Sequence, residues 1–355
     1  MTGDERRDLP GPGRPSGIGA TLTGQQREAY LDRIGYRCPA APDGETLASL
    51  SLAHLRTVPF ENLDVFHRVP IRLDLDSVYH KVVERRRGGF CYELNALFAA
   101  LLGSVGYGVS LLAMRFATED GYGPEHDHLS LAVWPGTPDG LARPAGQGDG
   151  SDAAGSSLAG TDRSSGAASG MGTGPWLADV GAGRHSLSRP VRLDDPAEQP
   201  HPADGATYRV VRGVGPHWHL WRRDPGEDWR ELYRFTRHPH PWQAFASRCA
   251  WYQDEPASVF RQTAWCTRLT GDGRITLRDG LLSVTDPATG ERDERAIPPD
   301  DVAATLSDQF GITLDRSVLP PLTAGHDRVN ILARDASGDG DDSRDTGPKT
   351  STEER

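Results

Sequence analysis

The chain has 355 residues, enough for two or three packed units, and only 36% of them are hydrophobic, low for one globule. Its formal net charge of −11 argues against a nucleic-acid or anionic-membrane surface. Four cysteines, at 38, 91, 249 and 266, form no CxxC pair, so a disulfide framework or zinc ribbon is not expected and a reduced, cytoplasmic protein is.

In chain order, Met1 to Gly19 is polar, rich in Gly and Pro, and reads as an unfolded tail rather than a secretory signal. Thr23-Gly24-Gln25-Gln26 opens a helix that runs through Tyr30 and Ile34 and ends at Gly35. Thr46 is placed to cap a second helix bearing Leu47, Leu50, Leu52 and Leu55. Leu75 to Val83 reads as a third. Cys91 to Leu102 is the clearest helix: Leu94, Leu97, Phe98, Leu101 and Leu102 share one face, and Gly103 and Gly106 punctuate its end. The period then changes. Val109 to Arg115, His128 to Trp134 and Trp176 to Val180 read as strands. Between the last two lies a stretch of Gly, Ala, Ser, Asp and Pro, expected to be a disordered hairpin insertion at about 135–174. Tyr208 to Val214, His217 to Trp221 and Trp229 to Phe235 continue the strands. A mixed segment follows: a helix from Trp242 to Cys249, strands near Arg261 to Leu269 and Arg274 to Leu282, and a helix near Pro299 to Phe310. Residues 335–355 form an acidic tail without a core. No apolar run is long enough to cross a bilayer.

The segment Arg86-Arg87-Gly88-Gly89-Phe90-Cys91-Tyr92-Glu93-Leu94-Asn95 carries the most chemistry. Two glycines permit a tight turn into a helix. A cysteine at the helix start meets unpaired amides and the positive end of the dipole, which favour a thiolate, and two arginines lie beside it. A cysteine nucleophile needs a base and a group to orient that base. His128 opens one strand and Asp179 ends another; pairing of those strands through the insertion makes them neighbours. His126 is a rival base. The His126-x-His128 spacing puts both on one strand face and also admits a metal pair, but no third ligand is evident, so no metal is expected.

These residues carry a resemblance. The Arg86 to Asn95 segment resembles the active-site motif of the arylamine N-acetyltransferases. Val58-Pro59-Phe60-Glu61-Asn62-Leu63-Asp64-Val65, Tyr30 to Tyr36 and Trp176 to Gly183 resemble further motifs of that family, in the same order. The resemblance covers roughly residues 25 to 134 and 175 to 310.

It implies an α+β fold with a cysteine-proteinase-like core. The divisions expected are a tail at 1–19, a helical bundle at 20–108 carrying Cys91, a β-barrel at 109–235, an α/β lid at 236–325 and a tail at 335–355. It implies an acyltransferase with the triad Cys91, His128 and Asp179, and so prefers His128 to His126. It also implies a supporting network of Glu61, Arg86 and Asn95, an acceptor pocket lined by Phe60, and a Gly181 to Gly183 turn beside the pantetheine arm. Acetyl-CoA is the implied co-substrate, with no tightly bound cofactor, and aromatic amines or hydrazines are the implied acceptors. An amide synthase that closes macrolactams from a carrier-bound polyketide thioester shares the cysteine motif and is the alternative. The sequence departs from the family in the insertion, in the tails, and at Ala182, where a larger residue is common.

Overall fold

Thr23 caps the first helix, Gly24–Arg33. Its hydroxyl accepts from the Gln26 N–H at 3.2 Å, and the Gln26 side chain accepts from the Thr23 N–H at 3.0 Å, so two end donors are satisfied reciprocally. Residues 18, 21–136 and 174–314 are described by this structure, a computed structural model. The expected tails and insertion fall outside the described residues, apart from Ile18, Pro135, Gly136 and Gly174.

The second helix, Gly44–Thr57, begins earlier than its apolar pattern suggested. Asp43 is the cap and accepts from the Thr46 N–H at 2.8 Å, so Thr46 lies inside the first turn. The third segment is α-helical over Leu75–Tyr79 and widens into a π-turn over His80–Glu84. The helix Cys91–Val105 runs past Leu102. Gly103 sits within it and Gly106, at φ 111°, ends it in the left-handed region where a glycine costs least.

Nine antiparallel strands form a sheet that curls into a nearly closed barrel. Their order is Val191–Arg192, Trp176–Ala178, His128–Trp134, Gly108–Thr118, Arg230–His240, His217–Arg223, Thr207–Arg212 and Gln199–Pro200, with Gly121–Tyr122 pairing onto Gly108–Thr118. Leu112, Met114, Ala132, Leu177, Tyr208, Leu220 and Phe235 pack together in one of its cores. A second antiparallel sheet runs Phe60–Glu61, Trp265–Leu269, Arg274–Arg278, Leu281–Thr285 and Arg292–Ala296.

Two expected strands change. The strand expected from Arg261 starts at Trp265, after a short helix over Val259–Gln262. The strand expected over Arg274 to Leu282 is a hairpin that turns at Asp279 and Gly280, with φ of 48° and 78°. Two consecutive positive φ values match the twist of paired strands, and Asp-Gly is the sequence that supplies them.

The fold is α+β. A boundary at 235/236 does not separate its parts, because the last barrel strand continues to His240. The helical segment that follows contributes Trp242, Phe245, Cys249 and Tyr252 to the same core as Tyr30, Leu47, Phe90 and Leu97. Phe60–Glu61, from the first helical part, forms the edge of the second sheet through Thr267 and Cys266. Both exchanges bring distant segments to the start of the Cys91 helix. Among the described residues, no helix is long and apolar enough to cross a membrane.

Candidate active site

Cys91 is the first residue of its helix, and the backbone before it is held on several sides. The Arg33 guanidinium, itself buried, donates to the carbonyls of Val82, Thr57 and Arg86 at 3.2, 3.0 and 3.2 Å. Glycine is required at 88 and 89 for a reason other than a turn: neither has a positive φ. A Cβ on Gly88 would lie 2.0 Å from the Pro59 carbonyl oxygen, and one on Gly89 would lie 2.8 Å from the Glu93 carboxylate. The strand at Phe60 runs too close for side chains, and the Glu61 N–H donates to the Gly89 carbonyl at 2.9 Å. Glu93 then reaches back one turn to accept from the Phe90 N–H at 3.1 Å, satisfying one of the helix's end donors.

The ion pairs behind the helix differ from expectation at one residue. Glu61 is buried as expected, but Arg86 is exposed and takes no part in the network. Arg87 does. Its Nη2 lies 2.7 Å from Glu61 Oε1 and 2.9 Å from Asp64 Oδ1. Lys81 bridges Asp64 and Glu93, at 2.8 Å to each. Two cations thus serve three carboxylates. Arg86 sits at φ 53°, and that turn sends adjacent arginines to opposite environments. The sequence reading missed Arg87, Asp64, Lys81 and Glu93. One signal was available: Lys81 is a lone lysine among the arginines of the described chain. Arg87→Ala is expected to cost about 3–5 kcal/mol, because it strands buried carboxylates. Arg86→Ala is expected to stay within about 0.5 kcal/mol. Urea unfolding of the two variants makes the comparison.

The strands bearing the other two candidates pair directly. Leu131 faces Ala178, Ala132 faces Leu177 and Val133 faces Trp176, antiparallel. Extending that register one step puts Asp179 opposite Ser130, and His128 shares a face with Ser130 because side chains alternate. His128 and Asp179 are therefore diagonal neighbours on one face. His128 Nε2 donates to Asp179 Oδ2 at 2.5 Å, and both side chains are almost wholly buried. Asp179 Oδ1 accepts from Asn95 Nδ2 at 2.9 Å and from the Gly181 N–H at 3.0 Å. Asn95 also donates to the Leu129 carbonyl at 2.6 Å and accepts from the Val180 N–H at 2.8 Å.

Asn95 stands one helical turn after Cys91, so it fastens the cysteine's helix to both strands. A Cβ on Gly181 would lie 2.9 Å from Cys91 Cα and 2.9 Å from Asn95 Nδ2, so the turn after Asp179 closes against the helix start. The Leu129 backbone, next to His128, lies close enough to the Cys91 sulfur to favour its anion. Cys91, His128, Asp179 and Asn95 are thus gathered at one buried point. With Nε2 committed to Asp179, the imidazole has Nδ1 left for another partner.

His126 goes elsewhere. The strand begins only at His128, and His126 sits before it at φ 61°, so the two imidazoles do not share a strand face. His126 Nε2 meets His240 Nδ1 at 3.1 Å. Between them, Asp127 accepts from Arg248 Nε at 2.7 Å and the Tyr252 hydroxyl at 2.7 Å. The Tyr92 hydroxyl donates to the His126 and Asp127 carbonyls at 2.7 and 3.2 Å. These bonds fix the entry to the His128 strand. Tyr233, also missed, lies flat on the His128 ring, 5.2 Å between centroids and 11° between planes. It fixes the plane of the imidazole.

Burial pushes the Cys91 thiol up, the Leu129 backbone opposes this, and the Asp179 charge adds to it. The flanking arginines do not offset the burial as expected: Arg86 is exposed and Arg87 is engaged with carboxylates. A lone thiolate here is disfavoured. A thiolate beside an imidazolium costs less, because the opposite charges favour each other's ionised forms. On the other side, Phe60, Phe260 and Trp265 form an aromatic wall, with Phe60 centroids 6.1 and 6.3 Å from the other two. Gly183, at φ 59°, lies against Phe60.

The family model described as N-acetyltransferase matches residues 43–137 and 170–319. The arylamine N-acetyltransferase of Mycobacterium tuberculosis strain H37Rv is 33% identical over 292 residues, covering 81% of this chain and 89% of that protein. The chain belongs to the arylamine N-acetyltransferase family. The Mycolicibacterium smegmatis family member is 31% identical over 261 residues, covering 72% of this chain and 80% of that protein. Among solved structures, the Mycobacterium marinum arylamine N-acetyltransferase in complex with CoA overlays with a TM-score of 0.64 at 28% identity, covering 80% of this chain and 92% of that one. As a family member the chain is an N-acetyltransferase, an acyltransferase, with the family's α+β fold.

Proposed function

We propose that the chain transfers an acetyl group from acetyl-CoA through Cys91 to the nitrogen of an arylamine, arylhydrazine or arylhydroxylamine. The observation that carries this is the buried His128–Asp179 hydrogen bond of 2.5 Å, tied through Asn95 to the helix that Cys91 begins. The CoA complex of the Mycobacterium marinum enzyme supports the donor. The names of the relatives support the acceptor class.

The chemistry follows from the geometry. His128 Nδ1 takes the Cys91 proton, and Asp179 stabilises the imidazolium through Nε2–H. The thiolate attacks the thioester carbonyl carbon. Backbone N–H groups at the helix start, including that of Cys91, stabilise the oxyanion. The C–S bond to CoA breaks, the CoA sulfur takes the His128 proton, and an acetyl-cysteine remains. The aryl nitrogen then attacks that acetyl group and loses its proton to His128. The Cys91 thiolate leaves and is reprotonated from the imidazolium. An aryl nitrogen suits this site because it is neutral near pH 7 and needs no deprotonation before attack.

Phe60 and its aromatic neighbours line the acceptor side, and the Gly181 to Gly183 turn lies beside the donor. Acetyl-CoA is a co-substrate and no tightly bound cofactor is involved. The four unpaired thiols suit a reduced cytoplasm. Turnover of acetyl-CoA against a panel of aryl amines and hydrazines tests the assignment of the base. His128→Ala is expected to lower kcat by about 10⁴-fold or more. His126→Asn, which tolerates a positive φ, is expected to stay within about threefold of the parent, since removing contacts outside the reacting group has small effects. The reverse pattern would assign the base to His126.

A further inference from the structure

We infer that Glu125, His126 and His240 form a binding site for a divalent transition-metal ion of the zinc class, separate from the acyl-transfer site. One ligand atom from each residue lies within 4.8 Å of the others, and both imidazoles are half-buried. His126 Nε2 and His240 Nδ1 are 3.1 Å apart. Two nitrogens that each lie about 2.0–2.1 Å from a tetrahedral ion sit about 3.3–3.4 Å apart. The two imidazoles are therefore already spaced as a ligand pair. Two features hold them there. The left-handed backbone of His126, at φ 61°, turns it off the His128 strand. Phe245 packs against both rings, with centroids 5.0 Å from His126 and 6.2 Å from His240.

The third donor, Glu125, is exposed, and a carboxylate oxygen of it lies within 4.8 Å of both imidazole nitrogens. Its charge partly neutralises a divalent cation. His238 lies two residues before His240 on the same strand, with ring centroids 5.3 Å apart. Imidazole and carboxylate ligands suit zinc, nickel and cobalt better than calcium or magnesium. The site borders the catalytic machinery through the His126 carbonyl, which accepts from Tyr92, the residue after Cys91.

The test is zinc titration by calorimetry on the full chain carrying Cys91→Ala and Cys38→Ser, which removes the acyl-transfer thiol and the exposed thiol. Stoichiometric binding is expected. Affinity should fall at least tenfold with His240→Ala and with His126→Asn, and should be unchanged by His128→Ala. A thermal melt without zinc confirms that each variant folds, and two variants at separate places in the chain keep the result readable if one does not. Absence of binding at millimolar zinc would overturn the site. So would affinity equal to the parent's in both the His126 and His240 variants, or loss on His128→Ala alone.

Discussion

Cys91→Ser and Cys91→Ala are expected to lose acetyl transfer by about 10⁶-fold, the scale seen when the nucleophile of a triad is removed. The serine variant is the informative one. It keeps a hydroxyl in nearly the same position, at the same helix start, beside the same histidine. It fails because a hydroxyl holds its proton far more tightly than a thiol, and burial here already opposes an anion at this position. Neither variant should lose stability, since Asn95, Glu93 and the Gly181 turn hold the helix start without the sulfur. Steady-state rates with acetyl-CoA and an arylamine, beside thermal melts, separate the two effects. Near-normal turnover by Cys91→Ser would exclude Cys91 as nucleophile.

The second large effect is expected at Asp179→Asn, about a 10⁴-fold fall in kcat. The reason lies in the donors around the carboxylate. Oδ1 accepts from Asn95 Nδ2 and from the Gly181 N–H. An asparagine must keep its oxygen toward those donors, which turns its NH2 group onto His128 Nε2. Nε2 then has to accept, the ring proton moves to Nδ1, and the nitrogen that should take the Cys91 proton is already occupied. Isosteric substitution thus inverts the tautomer while leaving the packing intact. The fall should appear in kcat with little change in the thermal melt. Loss of folding together with activity would instead make Asp179 a structural residue.

The parts of this site differ in how far the sequence reveals them. Cys91 is legible because its signals are local: a helix period begins at it and two glycines precede it. Even there the glycines serve close backbone approach to Pro59 and Glu93 rather than a turn. His128 and Asp179 depend on a pairing across the insertion, and strand parity alone does not choose between His126 and His128. What chooses is one residue at φ 61° before the strand begins, which sequence spacing does not encode. The same device separates Arg86 from Arg87.

Tyr233, Arg248 and Tyr252 were out of reach, since each meets the His128 strand from more than a hundred residues away. The hairpin at Asp279-Gly280 was in reach, and its dipeptide is a direct turn signal. The order of helical, barrel and mixed parts followed from the change of period. The shared core between Phe90 and Trp242 did not, because periodicity gives a buried face without naming what covers it.

The central claim is a covalent acetyl-Cys91 intermediate, and rapid mixing with acetyl-CoA alone tests it most directly. The account predicts a stoichiometric burst of free CoA with no amine present, and an acetyl adduct on the peptide bearing Cys91 that disappears when an arylamine is added. CoA release only when the amine is present, with Cys91 unmodified throughout, would contradict it.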